Sequence, residues 1–104
     1  MIDDRFRVAL IHLDGVVLVA VAGDIDVRTA PTVDLALRKA LTARSRKMVV
    51  DLRKVTVLGP DAVRALSRAS RSAEAAGVAV KMVGITPLMR RALDTTDASN
   101  VLGI

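Results

Sequence analysis

The sequence contains no cysteine, tryptophan or tyrosine, and Phe6 is its one aromatic residue. Without cysteine there is no disulfide, no thiolate metal site and no cysteine nucleophile. Without aromatic stacking platforms, direct binding of nucleic acid is not expected. Histidine is as scarce: His12 stands alone in an apolar strand pattern. A lone histidine there reads as structural or surface-exposed, and no nucleophile–histidine–acid set assembles around it. No glycine-rich phosphate loop is present. The most apolar run, Val8 to Ala22, is broken by His12, Asp14 and Gly15, so no stretch is long enough to span a bilayer. The opening Ile2-Asp3-Asp4-Arg5 lacks the basic-then-apolar order of a signal peptide. These absences predict a soluble, cytoplasmic protein without membrane insertion, cofactor or catalytic residues.

What remains is aliphatic and basic. Hydrophobic residues make up 52% of the 104 positions, with alanine and valine dominant. That length predicts one domain over residues 1–104, with enough chain to bury a core of its own. The formal charge is +5, and a solvated, arginine-rich surface accounts for most of it.

Arg7 to Leu13 alternates as a strand. Asp14-Gly15 signals a two-residue hairpin turn, and the continuous apolar run Val16 to Ala22 is the pattern of a strand covered on both faces. Gly23-Asp24-Ile25-Asp26 is expected to end the hairpin. Thr29 is a candidate N-cap with Pro31 in the first turn, followed by a helical stripe at Val33, Ala36, Leu37, Ala40 and Leu41. A basic loop, Thr42 to Lys47, leads to a buried strand, Met48 to Leu52, and a link from Arg53 to Leu58.

The central helix follows. Gly59 suits the flanking position before it, Pro60 suits its first turn, and Asp61 sets a carboxylate at the positive end of the helix dipole. Ala62, Ala65, Leu66, Ala69, Ala73 and Ala76 form its core-facing stripe. Arg64, Arg68 and Arg71 lie on the opposite side. Gly77 is the expected C′ residue, and Val78 to Val83 a fourth strand. Thr86-Pro87 with Met89, Ala92 and Leu93 predicts a last amphipathic helix. A loop over Asp94 to Asn100 and a short strand or docked tail over Val101 to Ile104 complete the chain. The expected fold class is α/β: a mixed, mostly parallel sheet with an N-terminal antiparallel hairpin and helices packed on it. Asp24 and Asp26 read as loop-solvating or capping carboxylates rather than a cation site. The residues alone therefore describe a small α/β binding module with no visible active site.

The order of these pieces resembles the STAS domain family, typified by bacterial anti-sigma factor antagonists. Gly23-Asp24-Ile25-Asp26 resembles the family's Gly-x-aliphatic-Asp signature, with Asp26 at the matching acid. Val49-Val50-Asp51-Leu52 and the following Arg53-Lys54-Val55-Thr56-Val57-Leu58 resemble its valine-rich strand and link. Gly84-Ile85-Thr86-Pro87 with Arg90-Arg91-Ala92-Leu93 resembles the entry to its last helix. The resemblance covers roughly Val8 to Ile104. It implies a STAS-like domain that works by partner switching. The unmodified domain binds an anti-sigma factor, often a kinase of the histidine-kinase ATPase type. Phosphorylation of a serine or threonine at the start of the central helix weakens that binding.

Here the chain departs from the pattern. The family shows Asp-Ser-Ser/Thr-Gly, whereas this sequence shows Gly59-Pro60-Asp61-Ala62. The phosphoacceptor-equivalent position is Asp61, which has no hydroxyl. Asp61 either imitates the phosphorylated state or belongs to a surface that binds without this switch. As a mimic it is partial, with one charge against about −1.5 to −2 for a phosphate. The partner-binding residues implied are Asp26, Gly59, Pro60, Asp61, Arg64 and Arg68. Two alternatives are an accessory subunit docked on the ATPase of a membrane transporter, and a small-ligand site at the helix N-termini. Asp61 argues against an anion at the latter.

Overall fold

The computed structural model describes residues 6–87 and Arg91. Two strands, β1 (Arg7–Leu13) and β2 (Val16–Ile25), form the expected antiparallel hairpin. Asp14 (φ 33°) and Gly15 (φ 81°) both occupy the left-handed region, the requirement of a two-residue turn that matches the twist of its strands. Helix α1 (Ala30–Leu41), β3 (Lys47–Leu58), helix α2 (Pro60–Ala75) and β4 (Ala79–Val83) follow. The four strands lie in the order β1-β2-β3-β4, with β2, β3 and β4 parallel. The α/β class with a mixed sheet is as the sequence predicts. The expected last helix beyond Pro87, the loop after it and the terminal strand fall outside the described residues, apart from Arg91.

Two boundaries differ from expectation. The link Arg53–Leu58 is strand, and β2 continues through Gly23-Asp24 to Ile25 instead of ending there. Bulges explain the first, whereas β2 keeps its alternation of buried and half-buried residues through Ile25 although Gly23-Asp24 has the composition of a turn. Ala20 pairs with Asp51 but Ala22 with Lys54, and Gly23 pairs with Val55 but Asp24 with Val57. At each step β3 carries one more residue than β2. The extra residues break the alternation that marks a strand, leaving Arg53 and Lys54 both exposed before Val55 turns inward. The first bulge is held by Asp51, whose carboxylate accepts from the Arg53 backbone N–H (3.0 Å) and pairs with its guanidinium (2.8 Å).

One face of the sheet carries the core. Val17, Val19 and Val21 of β2, Met48, Val50 and Leu52 of β3, and Met82 of β4 point to it. Helix α1 buries Val33, Ala36, Leu37 and Ala40 there; α2 buries Ala62, Val63, Ala65, Leu66, Ala69 and Ala73. Ala76, expected in that stripe, is exposed because it is the C-cap of α2. Gly77 adopts φ 75°, and Val78 N–H donates to the Ala73 carbonyl (2.8 Å) while Gly77 N–H donates to Glu74 (3.1 Å). This is the Schellman arrangement that glycine permits at C′. Among the described residues no helix is long and apolar enough to cross a membrane.

Arg53, first through its side-chain hydrogen bonds and then through its backbone N–H and charge, holds the Asp51 carboxyl below its ordinary value, against the opposing effect of burial. A carboxyl lowered in the folded state adds stability above its unfolded pKa, and that stability is lost as pH falls through the folded value. Asp51→Asn is therefore expected to be less stable than the parent at neutral pH. The gap in urea midpoint should close below about pH 4, where the unfolded carboxyl protonates. A gap unchanged down to strong acid would show that the ionised carboxylate contributes nothing.

Candidate functional site

The site forms where β2 and β3 end side by side, at the carboxyl ends of parallel strands where α/β folds place their contacts. Gly59 N–H donates to the Ile25 carbonyl (2.8 Å), tying the start of α2 to the end of β2. Gly59 is extended (φ −77°, ψ 171°), and Val63 N–H donates to its carbonyl (3.2 Å). A Cβ at this position would stand 3.1 Å from the Ile25 oxygen and 3.6 Å from the Asp26 Cα, so glycine permits the close approach.

Asp26 builds the turn into α1. Its Oδ1 accepts from the N–H groups of Arg28 (2.9 Å) and Thr29 (3.2 Å), and its Oδ2 pairs with the Arg28 guanidinium (3.1 Å). The Arg28 side chain above all, supported by these backbone N–H groups, holds the Asp26 carboxyl below its ordinary value. Thr29 begins the helix as predicted, but its hydroxyl makes no cap bond to α1. It donates to the Asp24 carbonyl (2.8 Å) and accepts from Asp26 N–H (3.0 Å), so the cap is spent on the turn. Asp24 in turn accepts from the Thr56 hydroxyl across the sheet. The two carboxylates are thus turn and strand fasteners. Among the described residues no group of three or more histidines and carboxylates could hold a metal ion.

A groove of about 340 Å³ opens between the starts of α1 and α2. Val27, Ala30 and Ala65 give it an apolar floor. Asp61, Arg64 and Arg68 form the α2 wall, and Asp34 of α1 stands opposite. Arg64 bonds the Asp61 carboxylate one turn away. Asp34 pairs with Arg38 (2.9 Å) and reaches Arg68 (3.6 Å), bridging the two helices. Pro60 is exposed, and Gly59 and Asp61 are partly so.

Of the predicted contact residues, Asp61, Arg64 and Arg68 meet in the groove. Gly59 and Asp26 lie against each other where β2 and β3 end, and neither they nor the exposed Pro60 line the groove. Asp34 and Val27, which line the groove, escaped the sequence reading. Asp34 and Arg38 have the i, i+4 spacing of a helical ion pair, a signal that was available; the contact from Asp34 to Arg68 had none. Val27 is 72% exposed on the turn before α1. A bare valine on a turn draws notice once the groove beside it is visible.

A family model described as the STAS domain matches residues 7–104. The chain belongs to the STAS domain family. Solved structures agree in fold. An anti-sigma factor antagonist from Mycobacterium paratuberculosis superposes with TM-score 0.80 at 24% identity, over 95% of this chain and 84% of that one. SpoIIAA, an anti-sigma factor antagonist in its unphosphorylated form, gives TM-score 0.76 at 11% identity, over 90% of this chain and 84% of that one. A serine-to-glutamate variant of RsbS from Moorella thermoacetica gives 0.75 at 24% identity, over 86% and 76%. No curated protein matches the sequence. The STAS domain here buries Ile25 at the end of β2 and leaves Pro60 exposed at the α2 start, with a partly exposed Asp61 in the first helical turn.

Proposed function

We propose that this STAS domain is a non-catalytic anti-sigma factor antagonist. It binds an anti-sigma factor of the histidine-kinase ATPase type in the cytoplasm, through Asp26, Gly59, Pro60, Asp61, Arg64 and Arg68. The observation that carries this reading is the open groove at the start of α2, with a carboxylate where the family has its phosphoacceptor. Binding is constitutive at that position because aspartate offers no hydroxyl to a kinase. Arg64 already engages Asp61, which offsets part of the negative charge and favours an adapted contact surface over imitation of a phosphate.

Asp61→Ser is expected to weaken binding to the cognate anti-sigma factor at least tenfold, about 1.4 kcal/mol, in calorimetry without ATP. Unchanged affinity would remove Asp61 from the interface, and tighter binding would establish phosphate mimicry instead. With ATP and a kinase-type partner, the parent protein should keep its intact mass. A phosphate found on Ser67 or Thr56 would overturn the unswitched reading.

A further inference from the structure

The second face of the sheet is apolar where a solvated face would be polar. Alternation along each strand sends the residues between the core positions outward, and the pairing register sets them in rows. Leu13, Val16 and Lys47 form one row, then Ile11, Leu18, Val49 and Lys81, then Ala9, Ala20, Asp51 and Val83. Arg7, Ala22 and Lys54 form a fourth row. Both described helices bury their stripes on the opposite face. Ile11 and Leu13 are left 43% and 62% exposed. Parallel sheets ordinarily have both faces covered, and continuous apolar strands such as Val16 to Ala22 are the mark of that cover.

The rim of this face is basic. Arg7, Arg53 and Lys54 stand at one end, and Lys47 and Lys81 lie across the sheet from Leu13 and Ile11. Its two carboxylates are engaged, Asp51 by Arg53 and Asp24 by the Thr56 hydroxyl. Among the described residues no ion pair occupies Arg7, Lys47, Lys54 or Lys81. Between the cations, Ala9, Ala20 and Ala22 are small enough to leave a hollow of about 220 Å³.

We propose that this face, which no described helix covers, is a second docking surface, taking an amphipathic helix with acidic flanks from a protein partner. An apolar stripe on such a helix covers Ile11, Leu13, Leu18 and Val49, as α1 covers the same strands from the other side. Carboxylates beside the stripe meet Arg7, Lys54 and Lys81. The alanine hollow accepts a side chain that projects from the helix, a fixed protrusion that a bilayer surface does not offer. A second copy of the chain brings the same cations to face each other, which disfavours self-association. Nucleic acid would lack a stacking surface, since no aromatic residue lies on this face.

The test is selection of a displayed library of helical peptides, with a fixed apolar stripe and randomised flanking positions, on the full chain. Enriched peptides should carry glutamate and aspartate in the flanks and should perturb the amide resonances of Ile11, Leu18, Val49 and Lys81. Lys81→Glu and Arg7→Glu should each weaken them by about tenfold, whereas Asp61→Ser, on the other side of the molecule, should leave them unchanged. The proposal is overturned if lysine-flanked peptides are enriched, if no peptide is enriched, or if the perturbations map to α1 and α2. Sedimentation of the chain with phosphatidylglycerol vesicles in place of peptide binding would assign the face to a membrane. Dimerisation abolished by Leu13→Lys would assign it to a second copy; either result overturns the proposal.

Discussion

Gly84→Ala is expected to cost roughly 2–5 kcal/mol of folding stability, from a left-handed backbone and an overpacked contact acting together. Gly84 follows β4 at φ +85°. A Cβ there would sit 2.6 Å from both the backbone nitrogen and the Cα of Arg53, and 2.5 Å from its Cγ. The Cγ belongs to a flexible side chain and can swing away. The backbone atoms belong to the bulge that Asp51 fastens by accepting from Arg53 N–H, so they yield only if β3 shifts. Gly77 separates the two causes. It has φ +75° but nothing within 4 Å of its missing Cβ, so Gly77→Ala should lose only the conformational part, about 1–2 kcal/mol. Urea denaturation of both variants decides the matter. Equal losses would mean that the Arg53 contact costs nothing. Because small domains have about 5–15 kcal/mol in total, the Gly84 variant is expected to unfold well below the parent's denaturant midpoint.

The Gly84 contact also shows where sequence reasoning stops. Local devices were legible. Asp14-Gly15 announced its turn, Gly77 its helix end, and the stripes of α1 and α2 their buried sides, because each depends on residues within one or two turns. Gly84 was legible as a strand boundary but not as a close approach, since its neighbour Arg53 is brought near by sheet pairing. The second half of β3 was missed for a related reason. Two bulges disrupt the period of two that identifies a strand, and what lets them persist is pairing with β2, which no local window contains.

The candidate site divides in the same way. Asp61 and Arg64 are one helical turn apart, so their contact follows from spacing alone. The groove they line needs α1 beside α2, and that juxtaposition depends on right-handed crossovers between parallel strands. Asp26 was legible as part of a signature turn. Its work in that turn, gripping two backbone N–H groups and Arg28, needed coordinates. The apolar character of β2 on both faces was plain in Val16 to Ala22, and it predicted cover that the described helices supply on one side only.

Leu66→Ala is expected to lose about 2–5 kcal/mol, the range for emptying a fully buried leucine site. Leu66 is 0% exposed and lies at the centre of the stripe that α2 lays on the sheet. Alanine is the better helix former, but by only a few tenths of a kcal/mol, so helix propensity does not offset the cavity. Leu35 on α1 gives the control: it is 52% exposed, and Leu35→Ala should change stability by less than about 0.5 kcal/mol. For a domain of this size each kcal/mol moves the melting temperature by roughly 4–8 °C, so the two variants should be well separated in a thermal scan. The comparison also bears on the docking surface. If α2 serves to hold Asp61, Arg64 and Arg68 in place, Leu66→Ala should keep the parent's affinity for the proposed anti-sigma factor partner at temperatures where it remains folded. Affinity lost together with stability, in a sample still native by far-UV circular dichroism, would mean that the buried stripe of α2 sets the geometry of its first turn.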